Sequence, residues 1–100
     1  MRIRLAPPAT ADLDGIWLYI AQESGSTNIT TRAVGSIADK FGLFSKFPNI
    51  GRSLESELRP GVRTFPVNNY MIFYSVRPGE IRILLIIHAS RDAQAVFDEE

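Results

Sequence analysis

The chain has 100 residues, 45% apolar and 22% charged, and its eleven basic and eleven acidic side chains cancel. That length fits a single domain, residues 1–100, which buries roughly 65% of its unfolded surface in one core. No cysteine and a single histidine argue against disulfides, thiolate chemistry and a metal site, and zero net charge does not advertise direct nucleic-acid binding.

Ile3 and Leu5 alternate with Arg2 and Arg4 as in a short strand, which Pro7 and Pro8 end. Proline suits the first turn of a helix. Leu13, Ile16, Trp17 and Ile20 then fall at i, i+3, i+4 and i+7, so a helix is predicted over residues 8–22. If Trp17 on this stripe faces the sheet, Leu18 and Tyr19 point away and need another cover. They are either an ordinary exposed pair or the anchor for a partner's amphipathic helix.

Ser24, Gly25 and Ser26 break the first helix. Asn28 or Thr30 can cap a second, whose stripe is Val34, Ile37, Phe41 and Phe44 and which stops before Pro48. Gly35 and Gly42 lie seven apart near one face, as tolerated surface glycines or as points of close helix approach.

Residues 48–52 and 59–61 read as loops. Val62–Val67 is the next strand, and Asn68-Asn69 suits a type I′ hairpin. Residues 70–76 return antiparallel, and Pro78-Gly79 fits a type II turn. Residues 81–89 carry five consecutive apolar side chains, the mark of a central strand covered on both faces. Residues 93–97 are predicted helical. The expected architecture is α+β, in the order βααβββ, with a helical hairpin packed on an antiparallel sheet and a short C-terminal helix.

His88 is the one side chain whose ordinary pKa lies near neutrality, and Ser90, Arg91 and Asp92 crowd the same strand end. His88 is either a satisfied structural residue or part of a functional cluster. Asp92 either pairs with Arg91 or caps the last helix. Nine of the eleven cations are arginine, six of them from Arg52 onward, forming either scattered surface charge or a partner-facing patch. Tyr70 and Tyr74 share a strand face with Ile72 and Val76, as core aromatics rather than a base-stacking platform. Nucleophile–base sets, glycine-rich phosphate loops and metal-ligand clusters are not recognisable.

The ordered set Asp12-Leu13, Ile16-Trp17, Tyr19-Ile20-Ala21, Phe47-Pro48-Asn49-Ile50-Gly51-Arg52, Arg63-Thr64-Phe65-Pro66-Val67 and His88-x-x-Arg91-Asp92 resembles the ParE toxins of the RelE/ParE toxin–antitoxin superfamily. The resemblance covers almost the whole chain. It implies the RelE/ParE-like fold, a cytoplasmic toxin without cofactors, and a ParD-like antitoxin whose C-terminal segment wraps it. It also implies inhibition of DNA gyrase by binding rather than catalysis, with Arg63, His88, Arg91 and Phe97 as candidate target contacts. Trp17, Leu18 and Tyr19 become candidate antitoxin contacts. The alternative is the ribosome-dependent mRNA endonuclease activity of RelE-like relatives. Their alignment puts Met71 where they carry a catalytic arginine, Arg91 on an arginine and Phe97 on a late tyrosine. Methionine cannot stabilise an anionic phosphorane and phenylalanine has no proton to exchange. A non-toxic binding module is the third reading.

Overall fold

The computed structural model describes residues 1–56, 58–92, 95 and 96. In chain order the elements are β1 (Arg2–Leu5), α1 (Pro7–Ser24), α2 (Thr27–Lys46), β2 (Arg52–Ser53), β3 (Val62–Val67), β4 (Tyr70–Arg77) and β5 (Glu80–His88). Five strands form one sheet in the order β1-β5-β4-β3-β2. The α+β class and the helical hairpin stand as expected, but the sheet is mixed: β1 pairs with β5 in parallel while every other pair is antiparallel. The two helices carry the chain across the sheet between β1 and the later strands, and that crossover makes a parallel pair possible. The two-residue β2 lies in a stretch whose glycine and proline punctuation reads as loop.

α1 ends at Gly25, whose left-handed backbone (φ 62°) returns its N–H to the Ala21 carbonyl. Ser26, rather than Asn28 or Thr30, caps α2, its side chain accepting the Ile29 N–H. Thr30 is fully buried and donates its hydroxyl to the Ser26 carbonyl. The α2 stripe holds as read, with Ile37, Phe41 and Phe44 buried and Val34 packed beside them.

On α1 the buried line runs through Ala9 and Ile16, flanked by Leu13 and Ile20. Trp17 lies about 100° further round the helix, on the rim, and is 38% exposed. The condition that it faces the sheet is not met for that reason. The close-approach reading of Gly35 and Gly42 fails too, because a Cβ at either would meet nothing within 4 Å.

Two apolar clusters sandwich the sheet. Beneath the helices lie Val67, Ile72, Tyr74, Ile81, Ile83 and Ile86 with the helix stripes, and on the opposite face lie Leu54, Val62, Phe73, Leu85 and Ile87. Phe44 stacks on Tyr74 (centroids 4.1 Å apart, 14° between planes) and meets Phe65 edge-on. Tyr70, Ile72, Tyr74 and Val76 share the helix-facing side of β4, as the alternation requires.

Strand β5 departs from simple alternation. Phe73 pairs with Leu85 and Tyr74 with Ile83, so Leu84 is an extra residue, a β-bulge. The bulge reverses the pleat. Ile81 and Ile83 face the helices before it, and Ile86 faces them after it. The unbroken apolar run hides this shift, because an apolar side chain suits either face of a central strand. The Asn68-Asn69 hairpin also differs from expectation, since only Asn68 has positive φ (53°) and type I′ requires both. Gly79, at φ 70°, follows Pro78 as a type II turn requires.

Candidate functional site at the strand ends

The bulge decides where the polar cluster after β5 points. His88 lies across from Tyr70 on β4, on the helix-facing side, with the two rings edge-to-face at 5.7 Å. The imidazole is exposed. Its Nδ1 is 2.7 Å from the Ser90 hydroxyl and accepts the Ser90 backbone N–H at 3.2 Å. An amide can only donate, so Nδ1 is the acceptor and the neutral ring carries its proton on Nε2. The Arg91 N–H closes the turn onto the His88 carbonyl at 3.0 Å.

His88 lines a groove of about 350 Å³ between α1 and the end of β5, together with Asp12, Ile16, Tyr19, Tyr70, Ile86 and Arg91. Asp12 reaches from α1 to accept the Ile86 N–H at 2.9 Å. Partial burial raises its carboxyl above the usual value, opposed by that hydrogen bond and by the Arg91 charge.

A second recess, of about 320 Å³, opens on the sheet face away from the helices. Leu54, Leu58, Met71, Phe73 and Ile87 make it apolar, and Arg52, Arg91 and Asp92 stand at its edge. Arg91 reaches both recesses and His88 only the first. The Asp92 carboxylate accepts the Ala95 N–H at 3.4 Å and its carbonyl accepts the Val96 N–H, as a helix cap would. Ala95 and Val96 are helical, while Ala93, Gln94 and Phe97 lie outside the described residues, so the C-terminal helix and the Phe97 contact remain expectations.

Arg63 has a different setting from His88 and Arg91. Its guanidinium donates to the carbonyls of Gly51 (2.6 Å) and Asn49 (3.2 Å). Tyr74 completes the clamp, its hydroxyl donating to the Pro48 carbonyl at 2.8 Å and accepting the Gly51 N–H at 2.9 Å. Burial raises the Tyr74 phenol above its usual pKa, against the Gly51 hydrogen bond and the Arg63 charge. The clamped loop displays Phe47 and Ile50 to solvent. Nothing in the sequence marked this clamp except the Gly51 that it needs.

Trp17, Leu18 and Tyr19 are all exposed, Leu18 and Tyr19 at 60% each, on the α1 turns that border the His88 groove. The described residues hold no group of three or more His, Cys, Asp or Glu that could bind a metal, and no helix among them is long and apolar enough to cross a membrane.

Residues 3–93 match the model of the ParE toxin of the type II toxin–antitoxin system parDE. Toxin ParE3 of Caulobacter vibrioides is 30% identical over 86 residues, 86% of this chain and 84% of that protein. Toxin ParE1 of the same organism is 30% identical over 92 residues, 92% of this chain and 93% of its own. A solved structure described as the chromosomal ParDE TA system from P. aeruginosa superposes with a TM-score of 0.74 at 29% identity, covering 88% of this chain and 95% of the matched one. With nine-tenths of its length matched, and the same helical hairpin over a mixed sheet, this chain belongs to the ParE toxin family of type II toxin–antitoxin systems.

Proposed function

We propose that this chain stops growth by binding DNA gyrase and stabilising a cleaved gyrase–DNA state, without catalysis of its own, and that a ParD-type antitoxin neutralises it. The observation that carries the non-catalytic reading is the division made by the bulge. His88, the one imidazole, opens into the helix-side groove, while Met71 and the apolar recess lie on the other face of the sheet. A general base must stand within hydrogen-bond reach of the proton it takes. Met71 occupies the position at which the mRNA-cleaving relatives carry arginine, and it sits among Phe73, Leu54 and Ile87. Arg52 and Arg91 can bind an anion there, but neither can shuttle a proton at neutral pH.

The direct test is a supercoiling assay with purified toxin and gyrase. Micromolar toxin is expected to suppress supercoiling and to leave trapped, cleaved DNA. Undiminished supercoiling, joined to discrete cuts in ribosome-bound messages that vanish in His88→Ala, would overturn the proposal.

A further inference from the structure

Strand β5 loses one neighbour part-way along. Its parallel pairing with β1 ends at Leu5–Ile83, and the Ala6 N–H makes the last bond, to the Ile83 carbonyl, before the chain turns into α1. Beyond that point β5 is paired with β4 alone. The Ala89 N–H bonds to the Asn69 carbonyl, so residues 87 and 89 direct their backbone groups toward β4, and residues 86 and 88 direct theirs to the open side. Two of those four open-side groups are already taken. Asp12 holds the Ile86 N–H and the Arg91 N–H holds the His88 carbonyl. The Ile86 carbonyl and the His88 N–H remain, facing the groove with no hydrogen-bond partner among the described residues.

This remainder is selective. An antiparallel narrow pair would need both backbone groups of Ile86 or of His88, and each has one blocked, whereas a wide antiparallel pair opposite Ile87 uses only the Ile86 carbonyl and the His88 N–H. A parallel partner needs the carbonyl of one residue and the N–H of the residue two places on, both offered by a single residue opposite Ile87. We propose that the β5 edge at residues 86–88 receives an extended segment of a partner protein as one β-bridge opposite Ile87, with an acidic residue on the side of the bridging one that faces Arg91. The charge requirement follows from what flanks the bridge, whichever way the segment runs. Asp12 stands beside Ile86, where a carboxylate is unwelcome, and Arg91 is exposed past His88 at the other end. Main-chain bonds would supply affinity, and the Ile16, Tyr19 and Tyr70 walls would select the flanking side chains.

The inference rests on the antitoxin reading for the partner's identity. The probe is therefore the full-length ParD-type antitoxin encoded with this chain, titrated into the ¹⁵N-labelled toxin with amide exchange followed residue by residue. The His88 amide is expected to slow about 100-fold or more on complex formation, and the Ile86 amide to be protected already in the free toxin. His88→Pro removes the edge N–H without touching the β4 ladder, and should weaken the complex about tenfold. His88→Ala, which keeps the amide, should weaken it far less. A complex in which the His88 amide exchanges as in free toxin overturns the strand-addition inference and leaves the antitoxin reading standing. No complex at all overturns both. Protection of the His88 amide in toxin alone, with a dimer on sizing, assigns the edge to a second copy and overturns the partner proposed here.

Discussion

The Asp12 carboxylate on α1 accepts the backbone N–H of Ile86 at 2.9 Å, 74 residues away in sequence, just past the point where β1 stops covering β5. One side chain thus replaces the missing strand at one backbone position. Asp12→Ala leaves that N–H without its acceptor and should cost about 1 kcal/mol. Asp12→Asn keeps an acceptor oxygen and gives up a partly buried charge. Because the folded-state pKa is raised, the folded protein holds the proton more tightly, and stability falls as pH rises from 3.8 through the folded value. Asn cannot titrate. Its stability relative to the native chain should therefore improve from pH 3.5 to 7, as thermal melts at the two pH values will show.

Gly51 is held against Tyr74 so closely that a Cβ would lie 2.7 Å from the phenol oxygen and 2.9 Å from the Thr64 carbonyl. The backbone carbonyl cannot yield cheaply, so Gly51→Ala should cost about 1–3 kcal/mol. Tyr74→Phe leaves the buried Gly51 N–H unpaired, at about 1–3 kcal/mol. The native phenol adds an alkaline signature. With its folded pKa raised, the unfolded chain ionises first, near 10, and stability declines as pH climbs from there toward the folded value. Denaturant midpoints at pH 9 and 11 should show a larger loss for the native chain than for Tyr74→Phe.

Gly35 and Gly42 sit inside α2 with open space where a side chain would go. Neither has positive φ, so nothing in the backbone requires glycine. Each Ala substitution should stabilise by about 0.5–1 kcal/mol. For a domain of this size, 1 kcal/mol corresponds to a rise in Tm of roughly 4–8 °C. Absence of any rise in either variant would indicate that an unseen neighbour occupies this face.

The helix stripes and the three long strands followed from periodicity and turn chemistry because each pattern is local. What the sequence could not show depends on partners far along the chain. Arg2 and Arg4 mark an edge strand equally well in parallel or antiparallel pairing, and only the crossover through two helices decides. The bulge at Leu84 is hidden in Ile-Leu-Leu-Ile-Ile, since either phase buries apolar side chains. That one residue determines the face on which His88 stands. Trp17 lies on the rim for a related reason, because a four-residue stripe leaves about 100° of freedom and the Ala9–Ile16 line fixes the angle. Asp12 carries no local mark of its role, because the Ile86 N–H that it accepts lies 74 residues along the chain.

Arg63 is a candidate contact for the target, and its guanidinium also donates to the Asn49 and Gly51 carbonyls. Arg63→Ala should therefore cost about 1–2 kcal/mol and loosen the loop that carries Phe47 and Ile50. Arg63→Lys should recover part of this, since both bonds leave one guanidinium nitrogen and an ammonium carries three donors of its own. Melting curves check the stability loss. Reduced gyrase inhibition with an unchanged Tm would instead assign Arg63 to the target surface.

Leu18 and Tyr19 are exposed enough that charging them should leave the fold intact. Leu18→Glu is expected to change Tm by no more than a surface substitution does, within about 0.5 kcal/mol. The effect on a ParD-type complex should be much larger. An apolar anchor seated in a partner groove contributes about 2 kcal/mol or more, so affinity should fall at least tenfold. Isothermal titration of the variant against antitoxin measures that loss, and the same protein in the supercoiling assay shows whether action on gyrase survives. Retained action with lost neutralisation places the antitoxin on the exposed flank of α1 and the target elsewhere. Equal loss of both would mean that the two surfaces overlap there.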